Sequence, residues 1–166
     1  MVNKITMNLL ILLAIPCILY GRSFNVMDFG ARGNGISDDA IAIQKAVDAC
    51  TNAGGGDVVF SANHTFLSGP VQLKSNVNIV LETNSVWKAN PDESIYHLSA
   101  FGKNEGEGMM WIWAKDVENL SFSGHGTIHG NGIKFMGAEL FDSYELKPVT
   151  TFDPRPHVLT LMGVRN

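Results

Sequence analysis

The stretch KDVENLSFSGHGTIHGNG, residues 115–132, decides the fold of this chain. Leu120 and Phe122 alternate with polar residues as in a short β-strand, and the glycines that follow predict a turn. Thr127 and Ile128 begin a second short strand, which further glycines end. A short strand, a tight turn, a second short strand and another turn describe one part of a coil.

An earlier segment of the chain has the same rhythm. Apolar residues alternate over residues 77–81, a polar turn follows, and Trp87 and its neighbour resume the strand. Matching Ile79 to Leu120 and Trp87 to Ile128 gives one offset, 120 − 79 = 41. A strand-turn unit that recurs in this way favours a chain wound into stacked rungs.

One amphipathic helix precedes these strands. It is predicted over residues 38–52, with Ser37 as the N-cap and with Asp38 and Asp39 in the first turn. Three glycines after residue 53 stop it. A helix in this place would cover the apolar interior and the unpaired edge of the first rung. Its apolar stripe consists of Ile43, Val47 and Cys50.

The rest of the chain reads as short strands with two long interruptions. Residues 90–108, with a short helical piece at 94–98, and residues 137–156 are predicted to be loop excursions, where binding surfaces usually lie. The expected fold is therefore all-β, with parallel strands wound into rungs over residues 57–166. Strands are predicted at 24–30, 58–60, 65–67, 71–73, 77–81, 86–88, 109–114 and 157–161.

Residues 118–132 resemble the signature of the pectin-degrading right-handed parallel β-helix proteins, in particular the polygalacturonases of glycoside hydrolase family 28. DFGARGNG at residues 28–35 is similar to the opening of that family. Arg155-Pro156 before an apolar strand resembles a later segment of it. Over residues 24–166 the resemblance implies a right-handed parallel β-helix of the pectin lyase-like kind, truncated, with the predicted helix as its N-terminal cap.

The first 22 residues have the character of a secretory signal peptide. Lys4 precedes an apolar run, residues 7–20, that suits a signal better than a membrane span. A lipoprotein reading through Cys17 and an uncleaved anchor are the alternatives. With the signal removed, residues 23–166 would be the N-terminal part of a secreted glycoside hydrolase domain, periplasmic if the source is bacterial, with no stable membrane span.

Net charge and cysteine content argue against a nucleic-acid partner and against an intrachain disulfide. The net charge is −4, and no run of Lys and Arg interleaves with aromatic residues, so nucleic acid is not expected as a partner. Cys50 would be the remaining cysteine of the mature chain, which excludes an intrachain disulfide. We predict a buried helix residue there, since no base is positioned to activate it.

Two motifs of the resembled active site occur in contexts that argue against catalysis. Asp38 and Asp39 match an Asp-Asp pair, but helical neighbours point apart and could not share one substrate bond. Gly124-His125-Gly126 matches a Gly-His-Gly motif, but it lies within the glycine-rich turn, so His125 is predicted to be a solvated turn residue. His129 is read as a surface-turn residue. Its spacing to His125 is that of a helical zinc pair, which the glycines preclude.

Other residues that could bind or carry sugar also have a purely structural reading. Trp111 and Trp113 are two residues apart and would share one face of a strand, either as a stacking platform for sugar rings or, as we favour, in packing. Asn63 and Asn119 begin glycosylation sequons, which matter only in a eukaryotic source. No catalytic residue, cofactor or metal ligand is predicted in this chain.

The resemblance implies that the catalytic groups lie elsewhere. The Asn-Thr-Asp, Asp-Asp, Gly-His-Gly and Arg-Ile-Lys segments of the family follow the Arg-Pro strand, and here ten residues follow Pro156 (166 − 156 = 10). Basic residues that bind uronates are expected outside the chain too. The parent would hydrolyse α-1,4-linked galacturonan or related pectic polysaccharide with inversion. A pectate lyase, a tailspike-like or polysaccharide-binding β-helix without activity, and a truncated pseudogene product are the alternatives.

Overall fold

The computed structural model describes residues 21–100, 108–139, 146–148 and 156–166. The predicted signal peptide lies outside these residues, as do parts of both predicted excursions. Side chains are described except at 136–139 and 146–148. Among the described residues, no helix has the length and apolar character needed to cross a membrane.

Short strands joined by turns make up most of the described chain. Helix α1 runs over Ala40–Asn52, and 3-10 turns occupy Val26–Phe29, Glu93–Ile95 and Gly132–Phe135. The strands are β1 (Ser23–Asn25), β2 (Asn34–Asp38), β3 (Gly56–Phe60), β4 (Thr65–Ser68), β5 (Val71–Gln72), β6 (Val77–Leu81), β7 (Val86–Ala89), β8 (Met110–Lys115), β9 (Ser121–Gly124), β10 (Thr127–His129), β11 (Met136–Glu139), β12 (Leu146–Pro148) and β13 (His157–Met162).

The strands form three parallel sheets around one core. Sheet A has the order β1-β3-β6-β9, sheet B the order β2-β4-β7-β10, and sheet C the order β5-β8-β13. Consecutive strands such as β3, β4 and β5 belong to different sheets, so each rung after the first visits all three. Strands β11 and β12 form an antiparallel two-stranded sheet that is not part of these three sheets. The predicted all-β, right-handed parallel β-helix with an N-terminal capping helix is confirmed.

Large apolar side chains of successive rungs stack on one another inside the coil. Phe66 of β4 pairs in register with Trp87 of β7, and Trp87 pairs with Ile128 of β10. The ring of Phe60 lies 5.2 Å from that of Phe66 and 4.6 Å from that of Trp87, centroid to centroid. The ring of Trp111, which comes from sheet C, joins these aromatic rings at 5.7 Å from that of Trp87. Parallel stacking therefore concentrates aromatic area in the interior, where it stabilises most.

Asparagines in the left-handed region turn the corners between sheets. Asn63 and Asn84 both have φ of 60° on neighbouring rungs, and the Asn84 amide donates to Asn63 Oδ1 at 3.1 Å. Asn76 (φ 62°) and Asn119 (φ 54°) repeat the arrangement at 2.8 Å on another corner. Asparagine tolerates this conformation better than other residues with a Cβ. Both predicted sequon asparagines thus serve the coil.

The single offset predicted from the sequence is wrong in one sheet. In sheet B, Trp87 pairs with Ile128, as the offset of 41 requires, but in sheet A Ile79 pairs with Phe122 rather than Leu120 (122 − 79 = 43). The turn between β9 and β10 is two residues shorter than the turn between β6 and β7. The change in turn length absorbs the difference between the two registers.

Helix α1 covers the first rung as predicted, although it begins at Ala40 rather than at 38. Its buried stripe includes Ile43, Val47 and Cys50. The side-chain amide of Gln44 donates to the backbone oxygen of Gln72 at 3.0 Å and accepts from the backbone N–H of Gln72 at 2.8 Å. A further strand would make the same pair of bonds, so the helix satisfies the edge of β5.

The opposite end of the coil is open among the described residues. Leu159 and Leu161 of β13 pair in register with Ile112 and Ala114 of β8, which are fully buried. The two leucines are nevertheless 40% and 47% exposed. They occupy interior-facing positions, and no described strand lies beyond β13 to cover them.

Candidate functional site

Both long excursions leave the coil at the same corner. The first connects Ala89, the end of β7, to Met110, and the second connects His129, the end of β10, to His157. Strands β7 and β10 are neighbours in sheet B, and β8 and β13 are neighbours in sheet C. The points at which the two excursions leave and rejoin the coil are therefore on adjacent rungs. Loops carried on a rigid scaffold in this way are where binding residues are usually placed.

The bases of the two excursions are held together by a buried aromatic pair. The rings of Tyr96, from the first, and Phe135, from the second, lie 5.9 Å apart at 69°. The Tyr96 hydroxyl donates to the backbone oxygen of Asn90 at 2.7 Å. Burial, then the charges of Asp38 and Asp92, raise the pKa of Tyr96. Its neutral hydroxyl acts as a donor that fixes the start of the excursion.

Asp38 anchors the same corner from the first strand of sheet B. Its Oδ2 accepts from the backbone N–H of Gly69 at 2.9 Å and from the side-chain amide of Asn90 at 2.7 Å. Its Oδ1 accepts from the backbone N–H of Ala40 at 2.8 Å. It lies at the end of β2, not in the first turn of the helix as predicted. These three donors give the carboxylate a structural task.

Asp39 has a different and equally structural set of partners. Its side chain is buried, and its two oxygens accept from the backbone N–H groups of Arg32 at 2.7 Å and Gly33 at 3.0 Å. Asp39 occupies the N-cap position of α1, which the sequence assigned to Ser37, but makes no side-chain cap bond. The carboxylate reaches back to close the preceding turn instead. Asp38 and Asp39 thus bind separate donors, but they do so at the junction of β2 and α1 and not as neighbours within a helix, as was predicted.

The glycines of Gly124-His125-Gly126 are explained by close stacking of rungs. A Cβ at Gly124 would lie 2.0 Å from the backbone oxygen of Leu81, and one at Gly126 would lie 2.4 Å from Ser85 Oγ. The N–H groups of His125 and Gly126 both donate to that Leu81 oxygen, at 2.8 and 3.0 Å. His125 is exposed on this turn, as predicted.

The two tryptophans of β8 do not form a platform together. Trp111 is fully buried, and its indole N–H donates to Ser68 Oγ at 3.2 Å. Trp113 is half-buried and outside the aromatic core. The expected alternation fails at this end of β8, where Trp111 packs with Trp87 and Ser68 in the core. The favoured packing interpretation of Trp111 is confirmed.

Cys50 is likewise a packing residue. It is fully buried in α1, and burial, with the charge of Asp57 as a second cause, raises its pKa to about 11. A thiol in that state is a poor nucleophile at neutral pH. Among the described residues, no group of three or more His, Cys, Asp or Glu side chains is arranged to hold a metal ion.

The outer face of sheet B carries basic side chains beside the excursions. Lys88 lies between two buried core residues of β7 and therefore points outward. His129, predicted to lie in a turn, is the last residue of β10 and is exposed. The register pairs Lys88 directly with His129. Sequence reasoning missed this pair because only the strand register brings the two residues together.

Comparison with known proteins agrees with the fold. Residues 23–94 match the family described as rhamnogalacturonase A/epimerase, pectate lyase-like. An apple (Malus domestica) polygalacturonase is 31% identical over 113 residues, covering 67% of this chain and 22% of the relative. The structure of a hyperthermoactive exopolygalacturonase from Thermotoga maritima is 30% identical with a TM-score of 0.57, covering 67% of this chain and 25% of that one. The resemblance to the family 28 polygalacturonases is confirmed.

A third relative is an epimerase and not a hydrolase. A mannuronan C5-epimerase of Azotobacter vinelandii is 48% identical over 64 residues, which cover 34% of this chain and 6% of the relative. The chain thus spans a quarter or less of the length of each of these three proteins.

Proposed function

We propose that this chain is the N-terminal part of an exported hydrolase that cleaves pectic polysaccharide. The observation that carries the proposal is the similarity to polygalacturonases over two thirds of the chain, at 30–31% identity. The outer face of sheet B supports it, because this face continues along the coil axis, where an extended polymer can lie, and both excursions begin at its edge.

In this proposal the described residues supply the cap and the first rungs of the coil, and the acid and base stand on later rungs. One carboxylic acid protonates the leaving glycosidic oxygen, and a carboxylate on the other side of the bond activates water, which inverts the anomeric centre. The two carboxyl groups of an inverting enzyme stand roughly 6.5–9.5 Å apart to admit that water. Asp38 and Asp39 are excluded from the pair because their oxygens are engaged by backbone and amide donors.

The test is to incubate the longer parent protein with polygalacturonate and to measure the reducing ends, the unsaturated sugars and the amount of polymer bound. Hydrolysis releases reducing ends without unsaturated sugars, and this is the expected result. Unsaturated products would identify a lyase. If the protein binds polygalacturonate but releases no reducing ends above background, a binding β-helix is favoured.

A second candidate activity follows from the epimerase relative. An epimerase inverts C5 of a uronate within the polymer and leaves the chain length unchanged. The same parent protein is therefore incubated with polymannuronate, and the composition of the polymer is read by NMR. Conversion of mannuronate residues without new reducing ends would favour this activity over hydrolysis.

A further inference from the structure

We propose that Lys88 and His129 form a binding position for a carboxylate of an acidic polysaccharide on the outer face of sheet B. The inference deepens the proposed function and rests on it only for the identity of the polymer. From the sequence alone, the basic residues that bind uronates were predicted to lie outside this chain, and Lys88 and His129 were not among them.

The register places the two basic groups side by side. Lys88 pairs with His129 across the parallel strands β7 and β10, and neighbouring strands lie about 4.8 Å apart. Both side chains project from the same face, since Trp87 and Ile128, the preceding residues, pack into the core. An anion above this point of the sheet can therefore contact both residues at once.

The imidazole of His129 is oriented by its own backbone. Its Nδ1 accepts from the backbone N–H of Asn131 at 3.0 Å, which leaves the proton of a neutral ring on Nε2. Asn131 is buried, and its side-chain amide donates to the backbone oxygen of Ala89 at 3.0 Å. The position is consequently built on the ends of β7 and β10, and Nε2–H is free to donate to a ligand.

Lys88 supplies a cation on this face, although the net charge of the chain is −4. Asp92, the acid that follows β7, already accepts from the backbone N–H and the hydroxyl of Ser94. Lys88 Nζ has no ion-pair or hydrogen-bond partner within the described part of the chain. The nearest acid in the same register column is Asp38, two strands away beyond Leu67, and three donors already engage it. A carboxylate that receives charge-assisted bonds from Lys88 and His129 offsets an otherwise unpaired cation.

A uronate polymer suits the position better than a single small anion. The outer face of sheet B continues along the coil axis, and the two excursions begin at its edge, just after Lys88 and His129. A polymer that lies along this face presents one carboxylate per sugar, and the basic pair fixes its register on the protein. Neutral sugars would gain nothing from the lysine.

The experiment is a calorimetric titration of the longer parent protein with oligogalacturonate. Lys88→Gln is expected to raise Kd about tenfold, and His129→Gln to raise it by several-fold, because each loses a charge-assisted or oriented donor. Lys88→Arg, which keeps the charge, is expected to retain most of the affinity. Lys115→Gln is the matched control, since Lys115 is an exposed lysine on sheet C, and it should leave Kd unchanged.

The methyl ester of the same oligomer separates charge recognition from general sugar binding. Wild type should bind it more weakly than the acid, and Lys88→Gln should bind it as well as wild type does. Equal affinity of wild type and Lys88→Gln for the acidic oligomer would overturn the proposal, and so would failure of wild type to bind any charged oligomer. Tighter binding of oligomannuronate that is lost in Lys88→Gln would support the position while contradicting a pectic substrate.

Discussion

Ser68 shows how one hydroxyl can stabilise two rungs. It is fully buried and accepts the indole N–H of Trp87 at 2.7 Å and that of Trp111 at 3.2 Å. Ser68→Ala would leave both donors without an acceptor, and each unsatisfied buried donor costs about 1–3 kcal/mol. We expect a correspondingly lower free energy of unfolding in urea.

A matched control for that variant lies on the next turn. Ser85 is also fully buried, but its Oγ has no hydrogen-bond partner among the described residues. Ser85→Ala should leave the free energy of unfolding nearly unchanged or raise it, because an unsatisfied polar group is removed. A larger loss in Ser85→Ala than in Ser68→Ala would contradict the assignment of the indole bonds.

Asp39 tests whether the Asp-Asp motif is structural. Asp39→Asn keeps the shape of the side chain but replaces one accepting oxygen with an amide group that cannot accept from Arg32 or Gly33. The expected loss is about 1–3 kcal/mol in the free energy of unfolding, with the turnover of the longer parent nearly intact at temperatures where it is folded. A loss of several orders of magnitude in turnover, with stability unchanged, would make Asp39 catalytic.

At the scale of elements, the sequence predicted the bounds of the strands better than it predicted which strands pair. The bounds of β6 agree with the observed Val77–Leu81, because five residues of strict alternation define a strand locally. Strand β2 was missed, since glycines at 33 and 35 read as a turn, and its pairing with Thr65 and Leu67 comes from a distant part of the chain. The same limit hid the Lys88–His129 pair, which depends on register alone.

Helix α1 is expected to act as a surrogate strand for β5. Gln44→Met keeps the length of the side chain and removes the amide, which leaves the backbone N–H and oxygen of Gln72 without their partners. We expect a loss of about 1–3 kcal/mol in the free energy of unfolding and faster hydrogen exchange at the Gln72 amide. Lys45→Met, at an exposed position of the same helix, is the control. Equal exchange in the two variants would refute the capping role of Gln44.

At the scale of the whole molecule, the two ends of the coil differ. The first rung is covered by α1, whereas the last described rung exposes Leu159, Leu161 and the unpaired edges of its strands. Open edges of this kind invite pairing with another chain. We expect residues 23–166, expressed alone, to associate as the concentration rises, as sedimentation would show.

Charged substitutions at the two ends distinguish this cause of association from general stickiness. Leu161→Lys should reduce the association, because it places a charge on the open end. Ile41→Lys, which changes an isoleucine that is 74% exposed on α1 at the other end, should not. A monomer at all concentrations would contradict the open-end account.

The measurement that tests the central claim most directly is a comparison of residues 23–166 with the longer parent on polygalacturonate, with reducing ends counted over time. The account predicts hydrolysis by the parent and none by the shorter chain, because positioned acid and base groups contribute about 10²–10⁴-fold and are placed on later rungs. Reducing ends released by residues 23–166 alone, above a buffer control and in proportion to protein, would contradict it.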